Sequence, residues 1–261
     1  MVDPAHLYWY AAAGFAALTP VALVARCVDP RRLASENVWN KPAKFGISLA
    51  LHFATFAVVA GFLGDGIVLL TVAWLSVGAA VIEVGYISVQ AGRQRRSHFN
   101  KDTRLEAAIY AVLGIGAILV LSPAVVVGIA AALSPPLAWP PAVRLAVPVA
   151  FIVGSGLTLL ITLWMGSHNS RYAAPPPSTR RTMWLTGWTV NAADLRPAHF
   201  FGTHIMQAVP AIALAGSWLL PPTVTLVFTG IVAAGWTWLT LVLFRRTVAG
   251  RPLPSYFAIL A

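Results

Sequence analysis

The sequence predicts an all-α, polytopic membrane protein with seven transmembrane helices. Of its 261 residues, 58% are hydrophobic and 10% are charged, whereas a soluble domain carries about 25% charged residues. Seven apolar runs follow one another, and each is close to or longer than the ~20 residues that cross a bilayer as a helix. The single cysteine excludes an internal disulfide and a paired-cysteine metal site. We therefore expect one seven-helix transmembrane domain over residues 1–261.

The seven runs define the predicted spans in chain order. We expect the first to be a retained span, because its start is acidic and no small-residue cleavage site follows it. Short turns rich in Gly or Pro join spans 2 and 3, 4 and 5, and 6 and 7. The long connection at 167–198 either lies flat on the membrane or folds back as a lid. The spans are predicted at 6–25, 43–63, 66–91, 105–133, 143–166, 199–220 and 222–244.

Lysines and arginines stand almost entirely in alternate connections. Residues 26–44 and 93–104 hold five each, 171–196 hold four and 245–251 hold three, and Arg144 alone lies elsewhere. Because cytoplasmic loops carry the positive excess, this pattern predicts an N-out, C-in protein of the bacterial inner (plasma) membrane. The net charge of +10 then reflects topology rather than nucleic-acid binding. Membrane lipids are the expected partners.

A faint internal repeat favours a transporter-like layout. KPAKFGIS (41–48) enters span 2 and RPAHFFGTH (196–204) enters span 6, with cation, Pro, Ala, Phe and Gly in the same order. The match is compatible with a 3+1+3 parallel pseudo-repeat in which span 4 links two three-span halves, as in SWEET transporters. The same residues also suit any helix that starts at the inner interface, so this alternative stays open.

One carboxylate lies well inside a predicted span. Ser76, Glu83 and Gln90 are seven residues apart, which places them on one helix face with Tyr86 beside them. Ionisable side chains are costly in hydrocarbon, and the spans contain no Lys or Arg near Glu83. We therefore expect Glu83 to be protonated, hydrogen-bonded to His or Gln, or bound to a cation.

Two histidines lie at a similar predicted depth, and together with Glu83 they suggest a site. His52, Glu83 and His204 would supply two imidazoles and a carboxylate, a set suited to iron or zinc with open positions. His52 and His204 alone would suit a haem. We predict these three as catalytic and metal-ligating residues acting on a lipid-soluble substrate such as a quinone or lipid. Gln90, Gln207 and Tyr86 would contact cofactor or substrate.

Two other interpretations of these polar residues remain open. They could form a hydrogen-bonded cluster that only holds helices together, as in an accessory or structural subunit. They could instead line a proton or solute pathway with Glu83 as carrier, as in a small-solute or proton-coupled transporter. His199 and His204 are five residues apart, about 140° around a helix, so they are not a metal-binding pair.

Polar residues also gather in the predicted cytoplasmic connections. Arg, Lys, Asn and His on one side of a membrane suit an anionic headgroup or an anionic small molecule. The positive-inside bias and helix capping would account for many of them without a ligand. The predicted rim consists of Lys41, Lys44, Arg96, His98, Asn100, Asn191, Asp194, Arg196 and His199.

Three segments resemble those of a family of bacterial multi-pass, seven-span membrane proteins whose activity is uncharacterised. They are EVGYISVQAGRQRRSHFN, DLRPAHFFGTH and NKPAKF. The pair Ser48 and His52 is also similar to the SxxxH of zinc-dependent seven-span hydrolases of the alkaline ceramidase and adiponectin receptor type. Those hydrolases carry HxxxH in their last span, whereas here HxxxxH lies in span 6. The first resemblance implies a layout and no activity.

Overall fold

The computed structural model describes residues 3–33, 36–134, 138–183 and 186–255. Within them the fold is all-α apart from one two-stranded antiparallel sheet and two isolated antiparallel β-bridges. The largest departure from the predicted spans is at the last helix, which continues to Val248. The elements are α1 (Pro4–Val28), β1 (Arg32–Leu33), β2 (Glu36–Asn37), α2 (Asn40–Leu63), α3 (Ile67–Gly92), α4 (Arg104–Leu133), α5 (Pro141–Ser167), α6 (Arg196–Leu219) and α7 (Pro222–Val248).

Six of the described helices are long and apolar enough to cross a membrane. The exception is α6, which is as long as α2 at 24 residues. Its first half carries four polar side chains that lower its mean hydropathy, namely Arg196, His199, His204 and Gln207. Length and composition thus support six of the seven predicted spans, while the N-out direction and the pseudo-repeat stay predictions.

The chain divides into two compact units, Met1–Ala130 and Ala131–Ala261. In the first unit α1 and α2 pack closely, because Gly46 has no side chain to separate them. A Cβ at Gly46 would stand 2.6 Å from Thr19 Oγ1. Buried aromatic rings from both helices fill the space between them, with centroids 5.5–5.9 Å apart, namely Tyr8, Phe15, Phe53 and Phe56.

The second unit is built in the same way from α5, α6 and α7. Gly154 of α5 lies against α6, where a Cβ would stand 2.7 Å from Ile205 Cγ2. Trp236 of α7 donates its Nε1–H to the Phe201 carbonyl at 2.7 Å. The connection between α5 and α6 folds back onto the unit and shares a buried apolar cluster with its helices: Ile161, Met183, Trp188, Val190, Leu195, Ala198, Leu243 and Leu253.

Candidate functional site

The polar stripe predicted on α3 faces the interior of the first unit. Ser76 and Gln90 are fully buried and Glu83 is 7% exposed. Gln90 donates its Nε2–H to the Tyr86 hydroxyl at 3.0 Å. The period of seven residues therefore identified a buried face, as expected for polar residues that avoid lipid.

The partner of Glu83 is a histidine from the connection that follows α3. His98 Nε2 lies 3.2 Å from Glu83 Oε1. Glu83 precedes the end of α3 by nine residues, or about 14 Å along the helix axis, so the connection must fold back to reach it. This contact supplies the hydrogen-bond partner that an intramembrane carboxylate requires.

Lys41, in the first turn of α2, extends this contact toward the helix ends. Its Nζ lies 2.9 Å from His98 Nδ1 and donates to Ser97 Oγ at 2.6 Å. An ammonium group can only donate hydrogen bonds. His98 Nδ1 is therefore the acceptor, and the proton of the neutral ring resides on Nε2. His98 then donates to Glu83, and the Lys41–His98–Glu83 triad is a directed chain of hydrogen bonds.

The environment of His98 keeps its ring neutral. Burial lowers the pKa of His98 below its usual value, and the positive charge of Lys41 lowers it further. The hydrogen bond to Glu83 opposes both effects without cancelling them. A neutral imidazole with one donor and one acceptor nitrogen can take a proton on one side and release it on the other.

The backbone around His98 is strained and firmly held. Gln94 and Phe99 have φ values of 55° and 54°, a left-handed conformation that is uncommon for residues other than glycine. The Arg96 carbonyl accepts hydrogen bonds from Gln90 Nε2 at 3.1 Å and Asn100 Nδ2 at 2.9 Å. Strain that the surrounding structure enforces is concentrated at functional sites in proteins.

Aromatic rings from three segments surround His98. The ring centroids of Phe45, Phe99 and Tyr110 lie 6.1, 6.5 and 6.2 Å from that of His98. These rings and Ser97 are site residues that no sequence pattern predicted. Phe99 adjoins His98 in sequence, but Phe45 and Tyr110 come from α2 and α4, and only the packing reveals them.

His52 joins α2 to α4 within the first unit. Its Nε2 lies 3.1 Å from the Val120 carbonyl oxygen, and its ring stands edge-on to Phe56 at 4.4 Å. Pro123 lacks an N–H, so the Leu119 carbonyl loses its normal helical donor and accepts from Ser122 Oγ at 2.8 Å. The contact between His52 and the Val120 carbonyl favours the interpretation of His52 as a residue that holds helices together.

The third member of the predicted His–Glu–His site, His204, lies in the second unit. His204 Nδ1 is 3.2 Å from Gln207 Oε1, as their spacing on one helix predicts. Within the described ranges, no group of three or more His, Cys, Asp and Glu side chains is placed to hold a metal ion. The iron, zinc and haem predictions therefore gain no support and stay predictions.

Most of the predicted rim residues are bonded within the protein. In the first unit, Lys44 pairs with Glu36 at 3.4 Å and Arg96 pairs with Asp102 at 2.7 Å. In the second, Arg196 pairs with Asp194 at 2.6 Å. Asn191 accepts from the Arg181 N–H at 2.9 Å. The buried Nδ1 of His199 has no partner among the described residues. Headgroup binding by this rim stays a prediction.

The helices and the buried polar contacts define the class of the protein: it is a multi-pass helical membrane protein. No family model, no curated protein and no solved structure matches the chain. The resemblances drawn from its segments are therefore supported only as far as the multi-pass membrane layout. The geometry that bears on function is that of the Lys41–His98–Glu83 triad.

Proposed function

We propose that the protein is a proton-coupled membrane transporter in which Glu83 carries the proton. His98 and Lys41 pass that proton between Glu83 and the aqueous surface. The observation that supports this proposal is the unbroken hydrogen-bonded path from Lys41 Nζ through both ring nitrogens of His98 to Glu83 Oε1, with separations of 2.9 and 3.2 Å.

Each group in the path has a defined part in the transfer. Lys41 gives a proton to His98 Nδ1, and the proton on Nε2 moves to the Glu83 carboxylate. Lys41 is then reprotonated from water, and the ring returns to its first tautomer by rotation or by proton exchange with water. Burial is the largest cause of the lowered pKa of His98, and it favours loss of the Nε2 proton from the doubly protonated ring.

Coupling between protonation of Glu83 and a conformational change follows from the free-energy cost of a buried charge. An ionised carboxylate within a span is expensive to expose to hydrocarbon, by about 2.5 kcal/mol or more at the bilayer centre. Protonation removes that cost, so Glu83 moves or loses its partner more easily when it is neutral. A change in the side of the membrane from which Glu83 is accessible would in this way be linked to its protonation.

The construction of the two units supports a transporter architecture. Each unit has a helix, a connection with antiparallel pairing, and a helix with proline in its first turn, at Pro42 of α2 and Pro197 of α6. Gly46 and Gly202 then lie against the preceding helix. These parallels are those expected of a 3+1+3 repeat, and an N-out topology would place the triad at the cytoplasmic end.

Proton flux into proteoliposomes tests the proposal. The full-length protein is reconstituted with a pH-sensitive dye inside, and a potassium diffusion potential drives protons inward. We expect Glu83→Gln and His98→Ala to lower the flux about a hundredfold, the typical contribution of a positioned proton-transfer group. Glu36→Gln and His168→Ala, which alter a partly exposed carboxylate and an exposed histidine outside the triad, should retain the flux. A wild-type flux that exceeds that of protein-free liposomes and is unchanged in Glu83→Gln and His98→Ala would refute the proposed proton path.

A further inference from the structure

The connection between α3 and α4 carries cations of two kinds. Arg95 pairs with the buried Glu106 at 2.9 Å and Arg96 pairs with Asp102, so carboxylates already neutralise both. Three further cations are exposed, and within the described ranges they have no carboxylate partner: Arg93, Lys101 and Arg104. Within this connection, the positive charge available to a ligand therefore lies on these three side chains.

Exposed apolar side chains adjoin the three cations. Val89 lies one turn before Arg93 on α3 and is 56% exposed. Leu105 and Val112 follow Arg104 on α4 and are 69% and 61% exposed. On each helix, an exposed cation with exposed apolar side chains within about two turns complements an amphiphile better than it complements a free anion.

The backbone that carries these cations is fixed before any ligand binds. Gln90 and Asn100 hold the Arg96 carbonyl, and the Asp102 N–H is hydrogen-bonded to Asn100 Oδ1 at 3.2 Å. Lys101 Nζ lies 6.0 Å from the centre of the Tyr110 ring. A binding surface that is already ordered loses little conformational entropy when its ligand arrives.

We propose that Arg93, Lys101 and Arg104 bind the phosphate of an anionic glycerophospholipid, whose acyl chains lie along α3 and α4. The phosphate receives charge-assisted hydrogen bonds from the arginines, and the acyl chains cover Val89, Leu105 and Val112. This site does not depend on the proposed transport function, because none of the three cations belongs to the Lys41–His98–Glu83 triad.

Native mass spectrometry of the delipidated full-length protein tests this site. Phosphatidylglycerol, phosphatidylcholine and inorganic phosphate are the probes. The variant Arg93→Gln/Lys101→Gln/Arg104→Gln should bind phosphatidylglycerol at least about tenfold more weakly than the wild type. The matched control Arg180→Gln/Arg245→Gln/Arg251→Gln, which removes three exposed cations of the second unit, should bind it as the wild type does.

Four outcomes would overturn the proposal. The control variant could lose as much affinity as the test variant, or phosphatidylcholine could bind as tightly as phosphatidylglycerol. Inorganic phosphate could displace the lipid at equal concentration, which would identify a phosphate site without lipid specificity. Finally, Arg93→Lys/Arg104→Lys keeps the charge and should retain most of the binding, so its complete loss would also contradict the proposed contacts.

Discussion

At the scale of single residues, the proposed proton path depends on His98. Its two ring nitrogens face different partners, Lys41 on one side and Glu83 on the other. Glutamine in its place would still form hydrogen bonds, but it would not exchange a proton between the two neighbours. The comparison of His98→Gln with the wild type therefore separates proton transfer from simple bonding.

The pH dependence of stability provides a test at this scale. Burial and Lys41 lower the pKa of His98 from its ordinary 6.5, so the unfolded chain binds the proton more readily. The free energy of unfolding should therefore rise with pH between the lowered value and the ordinary one, and it should fall as pH drops through that window. His98→Gln should flatten this dependence in a series of apparent melting temperatures.

Two further variants check that interpretation. Lys41→Met removes the neighbouring charge and should shift the pKa of His98 back toward its ordinary value, which narrows the pH window. His168→Gln alters an exposed histidine of the second unit and should leave the pH dependence unchanged. If the apparent melting temperatures of the wild type and His98→Gln changed equally with pH, the lowered pKa of His98 would be contradicted.

Sequence reasoning named the three residues of the triad but not the contacts between them. It identified Glu83 as a carboxylate that needs a partner, and it placed His98 and Lys41 among residues of the rim. It did not join the two sets, because the connection after α3 folds back through left-handed backbone at Gln94 and Phe99. No periodic pattern in sequence reports such a reversal, which depends on tertiary hydrogen bonds.

At the scale of helices, glycines decide which pairs approach closely. Gly46 faces Thr19 of α1, whereas Gly85 of α3 has no atoms of other residues within 4 Å of its Cβ position. Hydrophobic runs predicted the helices, with ends within four residues of those observed, since 20 or more apolar residues leave few alternatives in a membrane. The runs did not identify the close pairs, because contact depends on small residues at particular positions.

A pair of alanine substitutions tests this packing. Gly46→Ala should lower the free energy of unfolding by about 1–3 kcal/mol, because the new methyl group overlaps Thr19 Oγ1. Gly85→Ala should be neutral or stabilising by up to about 1 kcal/mol, since alanine favours the helix and meets no neighbour. Unfolding in mixed micelles by increasing denaturing detergent measures both, and equal effects would refute the close α1–α2 approach.

At the scale of the whole molecule, charge distribution predicts the direction of insertion. Most cations stand in alternate connections, which favours N-out and C-in. The described helices supply six candidate spans, and α6 depends on α5 and α7 because its first half is polar. The predicted direction is a property of chain and membrane together, so helix geometry alone does not determine it.

The single cysteine makes the topology directly measurable. Cys27 is exposed near the end of α1, on the side predicted to face the cytoplasm. A membrane-impermeant maleimide should label it only after the cells are permeabilised. In a Cys27→Ser background, Asp65→Cys in the connection between α2 and α3 should be labelled in intact cells. The opposite pattern would reverse the predicted orientation.

The most direct test of the central claim is to observe the proton on Glu83. Infrared difference spectra of the reconstituted protein, recorded during pH titration, report the C=O stretch of protonated carboxyl groups. We predict a carboxyl band that changes with pH in the wild type, is absent in Glu83→Gln and is shifted in frequency in His98→Gln. A spectrum that is the same in the wild type and Glu83→Gln would show that Glu83 exchanges no proton, and the proposed transport mechanism would then be wrong.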